Sequence, residues 1–291
     1  MSENKARTYR ELYDYAFDAL SEMPMPDLET RELITLAGRN CGDPIDPNTV
    51  QSRYREIAPP DAYSTLIKLL ERRLCGEPLA YLLGEWDFCG FTLRVDKRVL
   101  VPRSDTETVA LKAVKTVRER KYERVLDLCC GSGCIGLAVL HHTTAHVTLA
   151  DISEDVLDVA RENVALMGFS DRAEVTIADA LDDPSPALGM FDLIVSNPPY
   201  ISADEMSVLD AEVAAFEPST ALYGGQDGLN FYRAIAGYWK AALKPGGALV
   251  LEIGAEQAED VRAILLKNGY INIETGQDLA GHDRVVTAYR E

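Results

Sequence analysis

Apolar positions in the first 84 residues recur with a helical period. In "TYRELYDYAFDAL" (8–20), Leu12, Tyr15, Ala16 and Ala19 share one face, which predicts an amphipathic helix. Thr8 and Glu11 have the spacing of a capping box. "LETRELITLAGRN" (28–40) and "DAYSTLIKLLERRL" (61–74) repeat the period, and Pro24, Pro26, Pro44, Pro47, Pro59 and Pro60 punctuate the segments. The pattern predicts a helical bundle over residues 1–84, with the Tyr9, Tyr13 and Phe17 stripe in its core.

From Glu85 the period falls to two. "WDFCGFTLRVDKRVLVP" (86–102) is rich in aromatic and β-branched residues around one glycine, which predicts a hairpin linker over 85–105. "SDTETVALKAVKTV" (104–117) returns to helix, with Ser104 or Asp105 as its cap. Beyond it, apolar runs alternate with helical segments. The predicted strands are 124–128, 146–151, 173–179, 191–196, 248–253, 271–275 and 284–289. Such alternation predicts a doubly wound α/β sheet of about seven strands over 106–291, mainly parallel. The last two strands are too close for a helical crossover, so one of them is expected to be antiparallel.

The 291 residues carry a net charge of −18. Residues 1–84 hold 10 basic and 14 acidic side chains, and the remainder holds 19 against 33. A chain so acidic is poorly suited to following a phosphate backbone, so no direct nucleic-acid partner is expected. No apolar run approaches the roughly 20 residues that span a bilayer. The opening "MSENKARTYREL" has no apolar leader core, so a cytoplasmic protein without a membrane partner is expected. The six cysteines and four histidines lack metal-ligand spacing, and no metal is implied.

"DLCCGSGCIG" (127–136) ends one strand and opens a helix. Gly131, Gly133 and Gly136 fit GxGxxG, and Asp151 lies 20 residues after Gly131. That is the dinucleotide fingerprint with its ribose-binding acid. Asp127 tilts the choice, because a carboxylate beside the loop would not help a pyrophosphate but would attract a cation. S-adenosylmethionine carries a sulfonium and an ammonium and no phosphate. Asp151 is then placed for its ribose hydroxyls and Asp179, after the third strand, for its adenine amino group. Cys129 and Cys130 are expected beside its amino-acid end, at a helix N-terminus that lowers thiol pKa.

The fourth strand ends in "SNPPYI" (196–201), facing the same crevice. A planar nitrogen with a delocalised lone pair is a weak nucleophile, and acceptors that take both of its N–H groups would hold it in line with a methyl donor. Asn197 offers a side-chain oxygen, Pro198 a carbonyl, and Tyr200 a flat face; Pro198 and Pro199 keep the loop stiff.

"GEPLAYLLGEWDF" (76–88), "LVPRSDTE" (100–107), "DLCCGSGCIGLAV" (127–139), "SNPPYI", "FEPSTAL" (216–222) and "GHDRVV" (281–286) together resemble the peptide chain release factor N5-glutamine methyltransferase family. The resemblance implies a class I S-adenosylmethionine-dependent methyltransferase domain with an N-terminal helical bundle that docks substrate. It implies methylation of the glutamine of the Gly-Gly-Gln loop of a release factor, with S-adenosyl-L-homocysteine as product. Carried over by position, Asp127, Cys129, Cys130, Gly131, Ser132, Gly133, Asp151, Asp179, Ala180 and Asn197 would hold the cofactor. Asn197, Pro198, Pro199 and Tyr200 would hold the glutamine amide.

Four positions depart from the family pattern: Cys129-Cys130 replaces small Gly-Thr-like residues, Ser104 replaces a proline, and Ala180 stands where an aromatic is usual. Arg103, Glu107, Phe216, Glu217 and Pro218 fit either the pocket or plain loops, and His282 fits the final hairpin turn. The alternatives are an adenine amino-methyltransferase using the same loop, an NAD-linked oxidoreductase using GxGxxG, and a cofactor-free binding scaffold.

Overall fold

Thr8 and Glu11 close a capping box at the start of α1 (Tyr9–Ala19). The Thr8 hydroxyl accepts the Glu11 amide at 3.3 Å, and the Glu11 carboxylate accepts the Thr8 amide at 2.8 Å. The computed structural model describes residues 6–291. Residues 1–5, which open the predicted bundle and the twelve-residue stretch read against a leader, lie outside the described residues. The chain forms two units that meet in sequence at Gly84 and Glu85.

In the first unit, α2 (Pro26–Asn40), α3 (Ala62–Leu74) and α4 (Leu79–Leu83) join α1. Leu12 and Ala16 of α1, Leu33, Ile34 and Ala37 of α2, and Leu66 of α3 are fully enclosed. Each buried aliphatic side chain of this kind contributes roughly 1.5–3 kcal/mol. Tyr15, expected on the apolar face, is 43% exposed and instead packs edge-on against Tyr63. Arg73 of α3 forms a buried ion pair with Glu29 of α2 at 2.7 Å.

The second unit opens on a hairpin of β1 (Glu85–Phe88) and β2 (Phe91–Arg94). Cys89 and Gly90, both at positive φ, make its two-residue turn, the backbone that suits the twist of paired strands. Helix α5 (Ser104–Arg120) follows. Its N-cap is Arg103, and no side chain caps it; Ser104 is the first helical residue. The expectation of a Ser104 or Asp105 cap is corrected accordingly: both lie inside the first turn, where their own amides need partners.

Strand and helix then alternate: β3 (Arg124–Leu128), α6 (Cys134–His142), β4 (His146–Asp151), α7 (Glu154–Leu166), β5 (Ala173–Ile177), β6 (Phe191–Ser196). Two short helices, α8 (Ala203–Met206) and α9 (Ala211–Phe216), precede α10 (Asn230–Gly237), β7 (Leu243–Glu252), α11 (Ala258–Lys267), β8 (Tyr270–Gln277) and β9 (Asp283–Arg290). The sheet order is β5-β4-β3-β6-β7-β9-β8, and β9 is antiparallel to both of its neighbours. This is the doubly wound sheet the pattern predicts, with β9 as the reversed strand. Strand β5 ends at Ile177, so Asp179 lies in the loop beyond it.

Alternate residues of the strands face opposite layers, as the pleat requires. Val125, Val147, Leu193 and Val250 pack in one cluster with residues of α5, α6 and α7. Leu126, Ile194, Leu249 and Leu251 pack in the other with Tyr232, Trp239 and Val261. The order reverses between β3 and β6, which opens a crevice at their carboxyl ends, the usual ligand position in such sheets. No helix among the described residues is long and apolar enough to cross a membrane.

Candidate active site

A cavity of about 870 Å³ occupies that crevice, within the range of small-molecule sites. All of its lining residues belong to the second unit. The loops after β3, β4, β5 and β6 supply one wall, and residues 97–106 and 218–231 supply segments of the rest.

The loop after β3 turns sharply, with Cys129, Gly131 and Gly133 at φ of 60°, 54° and 82°. The glycines serve different ends. A Cβ added at Gly131 meets no atom within 4 Å, so its face is open. At Gly133 a Cβ would stand 2.9 Å from Leu149, and at Gly136 it would meet Leu149 at 2.9 Å and Asp127 at 3.0 Å. Those two let α6 pack against the sheet. Asn163 of α7, fully buried, donates to the Ser132 carbonyl and to the Arg94 carbonyl, both at 3.0 Å, and so pins the loop to the hairpin.

Asp151 ends β4 and lines the cavity. Its two oxygens accept the Gly131 amide at 3.1 Å and the Ser153 amide at 3.3 Å. Burial raises its pKa, and those backbone amides oppose the rise. Each oxygen keeps a further acceptor position. Asp179 and Ala180 also line the cavity. Asp179 accepts the Leu181 amide at 2.8 Å, and the Ala180 carbonyl accepts the Trp239 indole N–H at 3.2 Å.

Cys129, Cys130, Ser132, Asn197 and Pro199 stand in the same wall. Asp127 and Gly133 do not. Asp127 is fully buried behind the loop, where one oxygen accepts the Gly136 amide at 2.7 Å and the other has no partner. Burial pushes its pKa up to about 7. It holds the start of α6 from beneath, outside the lining. The expected lowering of the thiol pKa is corrected as well. Burial, reinforced by nearby carboxylates, pushes Cys129 and Cys130 up, because a thiolate away from water outweighs the helix-end field.

Ser196, the last residue of β6, donates to the Leu128 carbonyl at 2.6 Å and ties the two crevice strands together. The Asn197 amide nitrogen donates to the Thr106 hydroxyl at 3.4 Å. Pro198 and Tyr200 lie outside the cavity lining. Pro198 is buried, and Tyr200 packs against the second core cluster, where burial raises its pKa to about 12.

The loop is braced by residues that local sequence patterns do not reveal. The Tyr200 carbonyl accepts Gln257 at 3.0 Å. Ile201 bridges Tyr223, and a Cβ at Gly224 would lie 2.7 Å from Tyr200 Cα. The glycines of "YGGQDGL" (223–229) were the available signal for that close approach. Arg103 lines the cavity and pairs with buried Glu217 at 2.7 Å, and Pro218 lines it beside them. Glu107 accepts the Cys89 amide at 2.8 Å and serves the hairpin. In the last turn the His282 carbonyl accepts the Asp278 amide at 2.9 Å, and the His282 amide donates to the Asp278 carboxylate at 3.0 Å.

A family model described as the Methyltransferase small domain matches residues 103–216. The release factor glutamine methyltransferase of Clostridium acetobutylicum is 40% identical over 214 residues, 73% of this chain and 75% of its own. That of Caulobacter vibrioides is 40% identical over 264 residues, 90% of this chain and 88% of its own. Among solved structures, a methyltransferase from Pyrococcus furiosus shares the fold at a TM-score of 0.50 and 16% identity, over 68% of this chain and 88% of that one. Given such identity along most of both relatives, the chain belongs to the release factor glutamine methyltransferase family.

Proposed function

We propose that this chain methylates the side-chain amide nitrogen of the glutamine in the Gly-Gly-Gln loop of a peptide chain release factor, in the cytoplasm, with S-adenosylmethionine as donor. The observation that carries this reading is the pairing, in one cavity, of Asp151 with Asn197, whose amide nitrogen is engaged by Thr106 and whose oxygen is thereby left to accept. The residues fit the cofactor. Asp151 keeps acceptor positions for two ribose hydroxyls, Asp179 stands by for the adenine amino group, and open space faces Gly131.

When bound, S-adenosylmethionine would supply an electrophilic methyl group on its sulfonium, the N–C bond to the amide nitrogen replacing the C–S bond, with S-adenosylhomocysteine and a proton as the products. Asn197 accepts one substrate N–H and fixes the direction of the nitrogen. The second N–H, the stiffness of the turn and the flank of the amide plane would fall to the Pro198 carbonyl, Pro199 and Tyr200, of which only Pro199 lines the cavity as it stands. Orientation of this kind contributes up to ~7–11 kcal/mol to a bimolecular step. The helical unit up to Gly84 contributes no lining residue to the cavity, which suits a role in docking the release factor.

The test is incubation with S-adenosylmethionine and a purified release factor, read by mass spectrometry. One added methyl on the Gly-Gly-Gln glutamine is expected. Stronger labelling of adenine in DNA or RNA would favour the nucleic-acid alternative and sink this one.

A further inference from the structure

We propose that Gln257 is a positioning residue for methyl transfer: its side-chain amide holds the Tyr200 carbonyl and with it the turn of residues 197–200, an inference that rests on the methyl-transfer reading of this site. Gln257 is the N-cap residue of α11 and lies outside the cavity lining. Its Nε2 donates to the Tyr200 carbonyl at 3.0 Å and, more weakly, to the Gly228 carbonyl at 3.5 Å. Its Oε1 accepts the Gly254 amide at 3.0 Å and the hydroxyl of fully buried Tyr232 at 3.2 Å. One side chain thus ties together the exit of β6, the segment after β7, helix α10 and the 223–229 loop.

The sense of this amide is decided by its partners. A backbone N–H can only donate and a backbone carbonyl can only accept. Gly254 therefore takes the oxygen end and Tyr200 the nitrogen end. A turned amide would set N–H against N–H at one end and oxygen against oxygen at the other. The surroundings leave room for this bond and little else. A Cβ at Gly228, whose φ is 72°, would run into the Tyr200 carbonyl and lie 2.8 Å from Gln257 Nε2. A Cβ at Gly224 would stand 2.8 Å from the Pro199 carbonyl.

The turn needs such a hold. Pro198 and Pro199 have no N–H to give to a neighbouring segment. Before them, Ser196 is fixed to the Leu128 carbonyl. After them, Ile201 donates to the Leu222 carbonyl at 2.9 Å and accepts the Gly224 amide at 2.8 Å. Gln257 fixes the carbonyl between the prolines and Ile201. Asn197 and Pro199 line the cavity from within this span, so a slack Tyr200 carbonyl lets both shift. A misplacement of about 1 Å costs on the order of 10² in rate, so the hold acts on kcat.

The experiment compares the parent with Gln257→Glu, Gln257→Leu, Asn197→Ala and the Gln257→Glu/Asn197→Ala double variant, after melting curves. Glutamate keeps the acceptor for Gly254 and Tyr232 but turns an oxygen on the Tyr200 carbonyl, and leucine lacks both ends. A residue that served only the start of α11 would be replaced well by glutamate, whose charge suits a helix N-terminus. Methyl transfer to a purified release factor is measured at saturating S-adenosylmethionine. Both single Gln257 variants should lower kcat about 10- to 100-fold. KM for the release factor and Kd for S-adenosylmethionine should stay within about threefold. In the Asn197→Ala background, Gln257→Glu should add less than about twofold, because one residue acts through the other.

A second readout needs no activity. Hydrogen exchange at the Ile201 amide should quicken at least about fivefold in Gln257→Glu, while the Leu126 amide of β3 keeps the parent rate. If leucine unfolds the chain, glutamate alone decides. Parent-like kcat in Gln257→Glu, loss of its folding, a full additional loss in the double variant, or parent exchange at Ile201 would each overturn the inference. A parent that leaves the release factor unmethylated while Ile201 exchange responds as expected would instead overturn the functional reading.

Discussion

Arg103 and Glu217, 114 residues apart, meet at 2.7 Å with the carboxylate buried and the guanidinium 43% exposed. The pair joins the entry of α5 to the end of α9 on one side of the cavity. Burial raises the Glu217 pKa, and the Arg103 charge opposes the rise.

Arg103→Ala therefore leaves a buried carboxylate without its counter-charge. The expected loss is about 1–3 kcal/mol in urea unfolding, the cost of stranding a buried polar group. Adding Glu217→Gln should restore part of it, since a neutral amide is cheaper to bury. Limited proteolysis should cut faster near residues 207–217 in the single variant. Equal unfolding midpoints for parent and Arg103→Ala would show that the pair is merely a surface contact.

Asp151→Ala should weaken S-adenosylmethionine binding by ~2–4 kcal/mol, two charge-assisted hydrogen bonds being lost. The same carboxylate holds the Gly131 and Ser153 amides, so the loop also loses its two anchors. Asp151→Asn keeps one acceptor and should fall between the two. Calorimetric titration decides, and parent-like affinity in folded Asp151→Ala would remove this residue from the cofactor site.

The thiols reverse a sequence expectation. Cys75 is exposed, whereas Cys130 and Cys134 are buried with their pKa raised. A raised pKa lowers the thiolate fraction at neutral pH and with it the alkylation rate. Iodoacetamide at neutral pH should modify Cys75 first and leave Cys129 and Cys130 largely unreacted, more so with S-adenosylmethionine present. Labelling of Cys129 or Cys130 as fast as Cys75 would place the loop in solvent.

The parts of this molecule that were legible in the sequence are those whose signal is local. Central strands such as "RVLDL" and "FDLIVS" are buried on both faces and read as short apolar runs. The Thr8–Glu11 box needs only a three-residue spacing. Asp151 and Asn197 were found because each ends such a strand at the crevice. Contacts across long separations left no mark: Thr106 meets Asn197 over 91 positions, Asn163 reaches Arg94 over 69, and Gln257 reaches Tyr200 over 57. Helices α8 and α9 were missed, because no residue in either is buried to mark a core face, although the Ser202–Glu205 capping box was a local signal for α8. The thiol misreading has the same root, since a helix N-terminus can be read from sequence and burial beneath a loop cannot.

Two buried acids make stability depend on pH in an unusual direction. Burial lifts Glu252 from 4.5 to about 7 and Asp127 from 3.8 to about 7. Around Glu252, the Thr106 and Tyr200 hydroxyls and Arg284 pull down, while Asp105 pushes up. Between the unfolded and folded values the folded chain holds protons that the unfolded chain has released. Stability then falls as pH rises through that window and levels off above about 7, the opposite of a salt-bridged carboxylate. For Glu252 alone the difference between pH 5 and pH 8 is on the order of 2 kcal/mol. Glu252→Gln keeps the shape but cannot ionise. Urea unfolding of the variant should lose about that much of the decline seen in the parent from pH 5 to pH 8. Parallel pH slopes for parent and variant would show that Glu252 ionises in the folded chain as readily as in the unfolded one.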